Sequence, residues 1–331
     1  MNGALALFCP AKLNLYLRIT GRRPDGYHTL ATLLHAIDLG DDLVARRTDG
    51  GDELAITAAD ARDLLPVTDD NLVLAAARAF AAATAQHGGP RGDRHGGWAF
   101  ALHKRIPHGG GLGGGSSDAA AALRLCNALA GAPLGRPPLD RAQLHAVART
   151  LGADVPFFLH GGTQWGFGVG DELEPATAAQ QRLAAQHFTL LAPPFGCPTA
   201  DVYKNHAANW NRGFDAARVR GGRDDHHNAF ASGGFVNDLT AAAERVRPEL
   251  TQLRRQAADL GVAAVWMTGS GSTLFVASAT EGEAVRVRER LAPLQRDGVR
   301  ILPARSALAS FEPSPVVWPG DGPARGAGGG A

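Results

Sequence analysis

The stretch Lys104-Arg-Ile-Pro-His-Gly-Gly-Gly-Leu-Gly-Gly-Gly-Ser-Ser-Asp-Ala-Ala-Ala-Ala-Leu123 places six glycines directly before a strong helix-forming run. Glycine lets the backbone turn its N–H groups toward an anion and approach it closely, which is how a chain builds a phosphate site. The unpaired N–H groups of the first helical turn add the positive end of the helix dipole. Ser116 and Ser117 are placed to cap that helix, expected near 117–130, or to set a hydroxyl on a phosphate or its metal. A flexible linker would not run unbroken into an alanine-rich helix that stops at Gly131.

Three classes of glycine loop compete for this segment. A Walker A loop needs Gly-Lys-Ser or Gly-Lys-Thr at its end, and the sequence contains no Gly-Lys pair. The dinucleotide pattern fits letter by letter at Gly109, Gly111 and Gly114, but its context fails. Its helix must return to a strand ending in an acidic residue, whereas here Gly131-Ala-Pro-Leu-Gly-Arg-Pro-Pro138 leads to a second helix, Asp140 to Leu151. The run Pro107 to Ser117 instead resembles the phosphate loop of the GHMP small-molecule kinases.

Three further blocks make that resemblance specific: Pro10-Ala-Lys-Leu-Asn14 with Gly21-Arg-Arg-Pro-Asp-Gly-Tyr-His-Thr-Leu30, then Leu151-Gly-Ala-Asp-Val-Pro156, and Thr268-Gly-Ser-Gly-Ser-Thr-Leu-Phe275. In this order, from about Pro10 to Val276, they are similar to the branch of the family that phosphorylates 4-diphosphocytidyl-2-C-methyl-D-erythritol in the non-mevalonate isoprenoid pathway. The resemblance implies a two-domain α+β architecture, with an α/β domain over 1–170 carrying the phosphate loop and a ferredoxin-like domain over 171–311. It implies ATP and Mg2+ as cofactors and a small-molecule substrate carrying a cytidine diphosphate group, phosphorylated on its 2-hydroxyl.

Residue by residue, the family pattern makes Lys12 and Asp154 the catalytic pair, Asp154 as proton acceptor and Lys12 as the charge beside the transferring phosphoryl group. Pro107, Gly109, Gly110, Gly111, Leu112, Gly113, Gly114, Gly115, Ser116 and Ser117 fall on its ATP loop. Asn14, Tyr27, His28, Tyr203, Gly269, Ser270 and Gly271 fall on substrate-contacting positions. The cytosine ring would be stacked by the two tyrosines and hydrogen-bonded by His28. No acidic magnesium ligand is identifiable.

The residues themselves point the same way less sharply. Of 33 basic residues only Lys12, Lys104 and Lys204 are lysine, so a chain that defaults to arginine keeps lysine at few positions. Lys12 lies in an alternating stretch whose leucines face a core, which puts Lys12, Asn14 and Tyr16 on one strand face. An ordinary solvent-facing lysine on an edge strand would read alike. Asp154 sits on a short turn after a helix, before Val155-Pro156, where proline favours extended backbone. Without the family, pairing with a surface arginine explains Asp154 equally well. Tyr27 and His28 follow the turn Pro24-Asp-Gly26, which would present both rings at a loop tip. His35 and His226-His227 suggest loop or solvent positions.

At 331 residues and 34.5 kDa the chain fits two domains. A formal net charge of +1 gives no reason to expect nucleic acid or an anionic membrane as partner. No charged n-region or membrane-length apolar run occurs, and Cys9, Cys126 and Cys197 are too scattered for a disulfide framework or zinc site, so a cytoplasmic protein is expected. Monomer and homodimer both stay open.

Strands are expected at 3–19, 32–47, 52–57, 98–105, 155–159, 163–169, 187–192, 262–267, 273–278 and 299–303, and helices at 70–86, 240–260 and 281–292. The span 87–97 reads as a loop, 211–234 as an insertion and 312–331 as a disordered tail. Competing functions are another GHMP kinase of homoserine or mevalonate type, a catalytically silent nucleotide-binding protein, and a dinucleotide oxidoreductase. The block Pro24 to His28 argues against the first, retention of Lys12 and Asp154 against the second, and the helix hairpin against the third.

Overall fold

Two long strands set the frame: β1 (Ala4–Arg22) and β2 (His28–Thr48) pair antiparallel across the turn at 23–27. The computed structural model describes residues 3–86, 96–178, 180–181, 186–208, 234–307 and 311–319. The loop expected at 87–97, the insertion at 211–234 and His226-His227 fall almost wholly outside them. β4 (Gly97–Lys104) extends the sheet antiparallel to β2, and β3 (Glu53–Ala58) adds to β4 in parallel.

One face of this sheet is covered by α1 (Leu72–Gln86), α2 (Gly114–Gly131), α3 (Arg141–Leu151) and α4 (Val155–His160). Their apolar stripes close on Leu34, Leu43, Phe100 and Leu102. Small side chains let α2 lie close to the strands: Ala119 to Ala122 are all buried. α1 starts where the Thr68-Asp-Asp-Asn71 cluster suggests, with the Val73 N–H donating to Asn71 Oδ1 at 2.9 Å.

The second domain is a four-stranded antiparallel sheet of β7 (His187–Ala192), β9 (Trp266–Met267), β10 (Leu274–Ser278) and β11 (Arg300–Arg305), in the order β11-β7-β10-β9. Its outer face carries α5 (Thr199–Ala208), α6 (Thr240–Val246), α7 (Glu249–Asp259) and α8 (Glu281–Leu291). This is the expected ferredoxin-like split βαβ order. The inner faces of the two sheets meet through Leu13, Leu15, Leu33 and Trp165 on one side and Phe188, Leu190 and Phe275 on the other. The layers therefore run helices, sheet, sheet, helices.

Several expectations need correction. The single helix expected at 240–260 is two, because Arg247 leaves helical geometry and Pro248 caps the second. The strand expected at 262–267 shrinks to Trp266–Met267. Val155–Leu159 is helical rather than extended. Pro156 stands at the start of α4, where its missing N–H costs nothing, and Phe157 and Phe158 are drawn into the helical core. β6 (Glu172–Pro175) pairs with β5 (Thr163–Phe167), so the first domain continues past the boundary expected at 170. The tail expected to be disordered from 312 begins with β12 (Ser314–Val316), antiparallel to β1, which also pairs in parallel with the short β8 (Val236–Asn237). His35 is a core residue, its ring nitrogens 2.8 Å from Thr163 Oγ1 and 2.9 Å from Ser306 Oγ, and burial pushes its pKa down to about 3. No helix among the described residues is long and apolar enough to cross a membrane.

Candidate active site

The glycine loop lies at the head of α2, between the two domains. Gly109, Gly111 and Gly113 adopt φ of 67°, 75° and 74°, a region that only glycine enters readily. Gly113, left-handed, is the residue that starts α2, so the helix begins at Gly114, three residues before the expected position. Ser116 and Ser117 are consequently inside the first turns and cap nothing. Ser116 faces the cleft, whereas Ser117 is buried away from it with its hydroxyl unpaired, which removes Ser117 as a phosphate ligand.

The loop is locked to the second domain by the turn at 268–273. The Thr273 N–H donates to the Gly110 carbonyl at 3.1 Å. A Cβ on Gly111 would stand 2.5 Å from the Thr268 carbonyl oxygen, and one on Gly269 would stand 2.9 Å from that of Gly111. Asn237 holds the turn in place, its amide donating to the Met267 and Gly269 carbonyls at 2.9 and 2.8 Å. Ser270 Oγ lies 2.9 Å from Thr199 Oγ1 at the foot of α5.

Close backbone approach makes the effect of a branched side chain here steric. A Cβ on Gly113 would fall 2.8 Å from Phe158 Cζ and 3.1 Å from Lys12 Cγ, and valine there would also be strained by the positive φ. Gly113→Val is expected to weaken ATP binding at least tenfold with the far-UV circular dichroism spectrum retained. Gly114, with helical φ and a nearest neighbour 3.2 Å away, should be the milder site. Calorimetry with ATP checks both, and unchanged affinity in Gly113→Val would move the phosphate site elsewhere.

Lys12 is only 3% exposed. Its ammonium donates to Asn14 Oδ1 at 2.5 Å and to the Gly111 carbonyl at 2.8 Å, and stands 3.8 Å from Asp154 Oδ2. Burial pushes its pKa below the usual lysine value, with Asp154 opposing that shift. Asn14 is fixed in turn: its amide donates to Thr32 Oγ1 at 2.8 Å and its backbone N–H donates to Thr268 Oγ1 at 3.0 Å. The sequence placed Tyr16 on this face too, but a bulge between Asn14 and Tyr16 breaks the alternation. Tyr16 packs on Trp165 in the core instead, with ring centroids 5.6 Å apart. Leu17 takes its place in the cleft wall.

Asp154 precedes α4 in the N-cap position with right-handed helical backbone and caps no N–H, and Val155, expected to be extended before Pro156, is the first residue of the helix. Its side chain is 36% exposed, so the carboxylate is available to a ligand in the cleft.

At one end of the cleft His28 is 8% exposed and buries Nε2 without a partner. It begins β2 rather than crowning a loop, and its ring lies 5.3 Å from that of Tyr203 at 34°. Burial lowers the His28 pKa, aided by Arg22 and His206, so the imidazole is neutral at physiological pH. Tyr27 is 68% exposed at the rim. At the other end Leu65, Pro66, Leu72, Leu102 and Ile106 form an apolar shelf beside the loop. Nothing in the sequence signals this shelf, because it joins two stretches about thirty residues apart, 65–72 and 102–106. Beneath it Lys104 donates to Asp41 at 2.5 Å and Asp118 at 2.7 Å, a buried trio. Burial lifts the Asp118 pKa to about 7, against the pull of Lys104 and with the push of Asp41. The scarcity of lysine was the one available hint of this trio.

Lys12, Asn14, the glycine loop, Asp154, His28, Tyr203 and the apolar shelf line a single cleft of about 1810 Å³. That exceeds the roughly 300–1,000 Å³ of a pocket for one small molecule and leaves room for two. The sequence-expected residues are thus brought together in its lining, with Ser117 and Gly271 excepted.

Comparison with known proteins shows the family. The model of the GHMP kinases N terminal domain matches residues 71–162, and that of the GHMP kinases C terminal matches 225–294. The 4-diphosphocytidyl-2-C-methyl-D-erythritol kinase of Salinispora arenicola is 38% identical over 304 residues, covering 89% of this chain and 90% of the relative. That of Acidovorax sp. strain JS42 is 40% identical over 266 residues, covering 80% and 84%. A crystal structure of 4-(cytidine 5'-diphospho)-2C-methyl-D-erythritol kinase superposes with a TM-score of 0.67 at 33% identity, over 91% of this chain and 100% of that one. A homoserine kinase from Cytophaga hutchinsonii, at 17% identity and a TM-score of 0.65, shares the fold. With four-fifths or more of both chains matched at this identity and the two domain models found in order, the chain belongs to the 4-diphosphocytidyl-2-C-methyl-D-erythritol kinases, a branch of the GHMP kinases.

Proposed function

We propose that this kinase transfers the γ-phosphoryl group of ATP to the 2-hydroxyl of 4-diphosphocytidyl-2-C-methyl-D-erythritol. The observation that carries the reading is that one cleft joins a glycine loop, the Lys12–Asp154 pair and a His28–Tyr203 pocket suited to a flat polar ring.

Phosphoryl transfer needs positioning and positive charge on the equatorial oxygens more than covalent help from the protein. The N–H groups at the head of α2 hold the nucleotide phosphates and the apolar shelf takes the adenine. Asp154 accepts the proton of the substrate hydroxyl. The Lys12 ammonium, held by Asn14 and the Gly111 carbonyl, sits where the transferring group passes. Magnesium would accompany the nucleotide and would neutralise charge on its phosphates. Ser116, which lines the cleft beside the loop, would offer it a hard oxygen from the protein side.

Cytosine differs from uracil at one edge, presenting an amino donor and N3 acceptor where uracil presents a carbonyl acceptor and N–H donor. A buried neutral imidazole with an unpartnered nitrogen pairs with one pattern and leaves a group unsatisfied against the other, at about 1–3 kcal/mol for each mismatch. Stacking on Tyr203 does not discriminate. CDP is therefore expected to compete with the substrate at least tenfold better than UDP, with His28→Ala narrowing the gap and Tyr203→Ala weakening both together. Equal inhibition by CDP and UDP would defeat the cytidine assignment. The direct test is the product formed from ATP with this substrate, homoserine and mevalonate in parallel.

A further inference from the structure

The charges around the base pocket do not balance. Near it Lys12 faces Asp154, Arg149 pairs with Asp171 at 2.6 Å and Arg23 pairs with Asp25 at 2.8 Å. Arg22 and Lys204 also line the cleft, and neither has a carboxylate within ion-pairing distance among the described residues. They come from opposite walls. Arg22 stands directly across the β1–β2 ladder from His28. Lys204 follows Tyr203 on α5, and Tyr203 lies against the same His28.

Two features separate these cations from ordinary surface charges. The Arg22 Nε donates to the Gly26 carbonyl at 3.2 Å, which ties the guanidinium to the turn at the pocket rim and leaves its terminal nitrogens for a ligand. That is a preorganised fork of the kind that holds phosphate oxygens. Lys204 is one of three lysines in a chain with 33 basic residues, and the other two, Lys12 and Lys104, are both buried in this cleft and anchored by carboxylates. A point charge on the facing domain complements a planar fork, since a diphosphate carries negative charge on the oxygens of two phosphate groups.

We propose that Arg22 and Lys204 form a two-domain clamp for the diphosphate of the nucleotide-linked substrate, beside the His28–Tyr203 base pocket. The clamp rests on the cytidine reading above and extends it from the base to the group that follows. It recognises the charge of a nucleoside diphosphate and not its base. It also lies apart from the glycine loop that takes the ATP phosphates.

The test is the affinity of cytidine, CMP and CDP for the unmutated protein, Arg22→Gln, Lys204→Gln and the double variant, by calorimetry at two salt concentrations. Hydrogen bonds to charged groups, discounted for exposure, lead us to expect each single variant to bind CDP about fivefold to tenfold more weakly and the double about fiftyfold. Cytidine should change by less than about twofold, and the salt dependence of CDP binding should flatten in the double variant. The KM for ATP should hold. CDP affinity unchanged in the double variant would overturn the clamp, as would a loss for cytidine equal to that for CDP, which would assign both residues to the base pocket. If the unmutated protein does not prefer CDP over UDP, the cytidine reading falls and the clamp with it. If that preference holds while the variants bind CDP normally, the clamp alone falls.

Discussion

Asp154→Asn should lower kcat by about a hundredfold or more, with ATP affinity and thermal stability close to unchanged. The substitution keeps the side-chain volume and removes only the capacity to take a proton. Asp154 caps no helix N–H, so α4 loses no hydrogen bond when the carboxylate becomes an amide. At 36% exposure and 3.8 Å from the Lys12 ammonium its structural contribution is that of a partly screened pair, about 1 kcal/mol or less. Lys12 keeps its bonds to Asn14 and Gly111 in the variant. Catalytic and structural roles therefore separate cleanly. Steady-state kinetics beside a melting curve decides the matter, and near-normal kcat with a lowered melting temperature would make Asp154 a structural residue.

Much of this site was legible because its parts are local in sequence. Six glycines ahead of an alanine run specify a loop and a helix wherever the chain later carries them. The start of that helix was misplaced because serine is the commoner cap. Here Gly113 takes the role in left-handed geometry, which composition does not reveal. Strand alternation correctly paired Lys12 with Asn14 and failed at Tyr16, since a bulge depends on register with β2 and not on β1 itself. Val155 to Leu159 was misread for a related reason. Valine and phenylalanine favour strands, but Pro156 tolerates a first helical turn and the hydrophobic core beneath α2 rewards one. The apolar shelf, the Lys104–Asp41–Asp118 trio and the Arg22–Lys204 pair were illegible, since each joins residues from distant elements. Only the fold brings them together.

Lys12→Arg should prove nearly as damaging as loss of the charge, with kcat down by about a hundredfold or more although the formal charge is kept. The ammonium occupies a site sized for a point charge. It lies between Asn14 Oδ1 at 2.5 Å and the Gly111 carbonyl at 2.8 Å, and a Cβ on Gly269 would already come within 3.2 Å of it. The lysine stem is equally confined, since a Cβ on Gly113 would lie 3.1 Å from Cγ. A guanidinium is planar and wider and carries its donors in a fork. It would have to displace the glycine loop or turn away from Asp154. Either movement shifts the nucleotide phosphates relative to the hydroxyl, and a misplacement of about 1 Å costs on the order of a hundredfold in rate. Lys12→Met serves as the companion variant, similar in length and without charge. If the site needs a compact cation, arginine and methionine should fall together in kcat while both proteins keep the native circular dichroism spectrum. If bare positive charge were sufficient, arginine would retain activity close to that of lysine and methionine alone would fail, and the assignment of Lys12 as a precisely seated ammonium would be wrong.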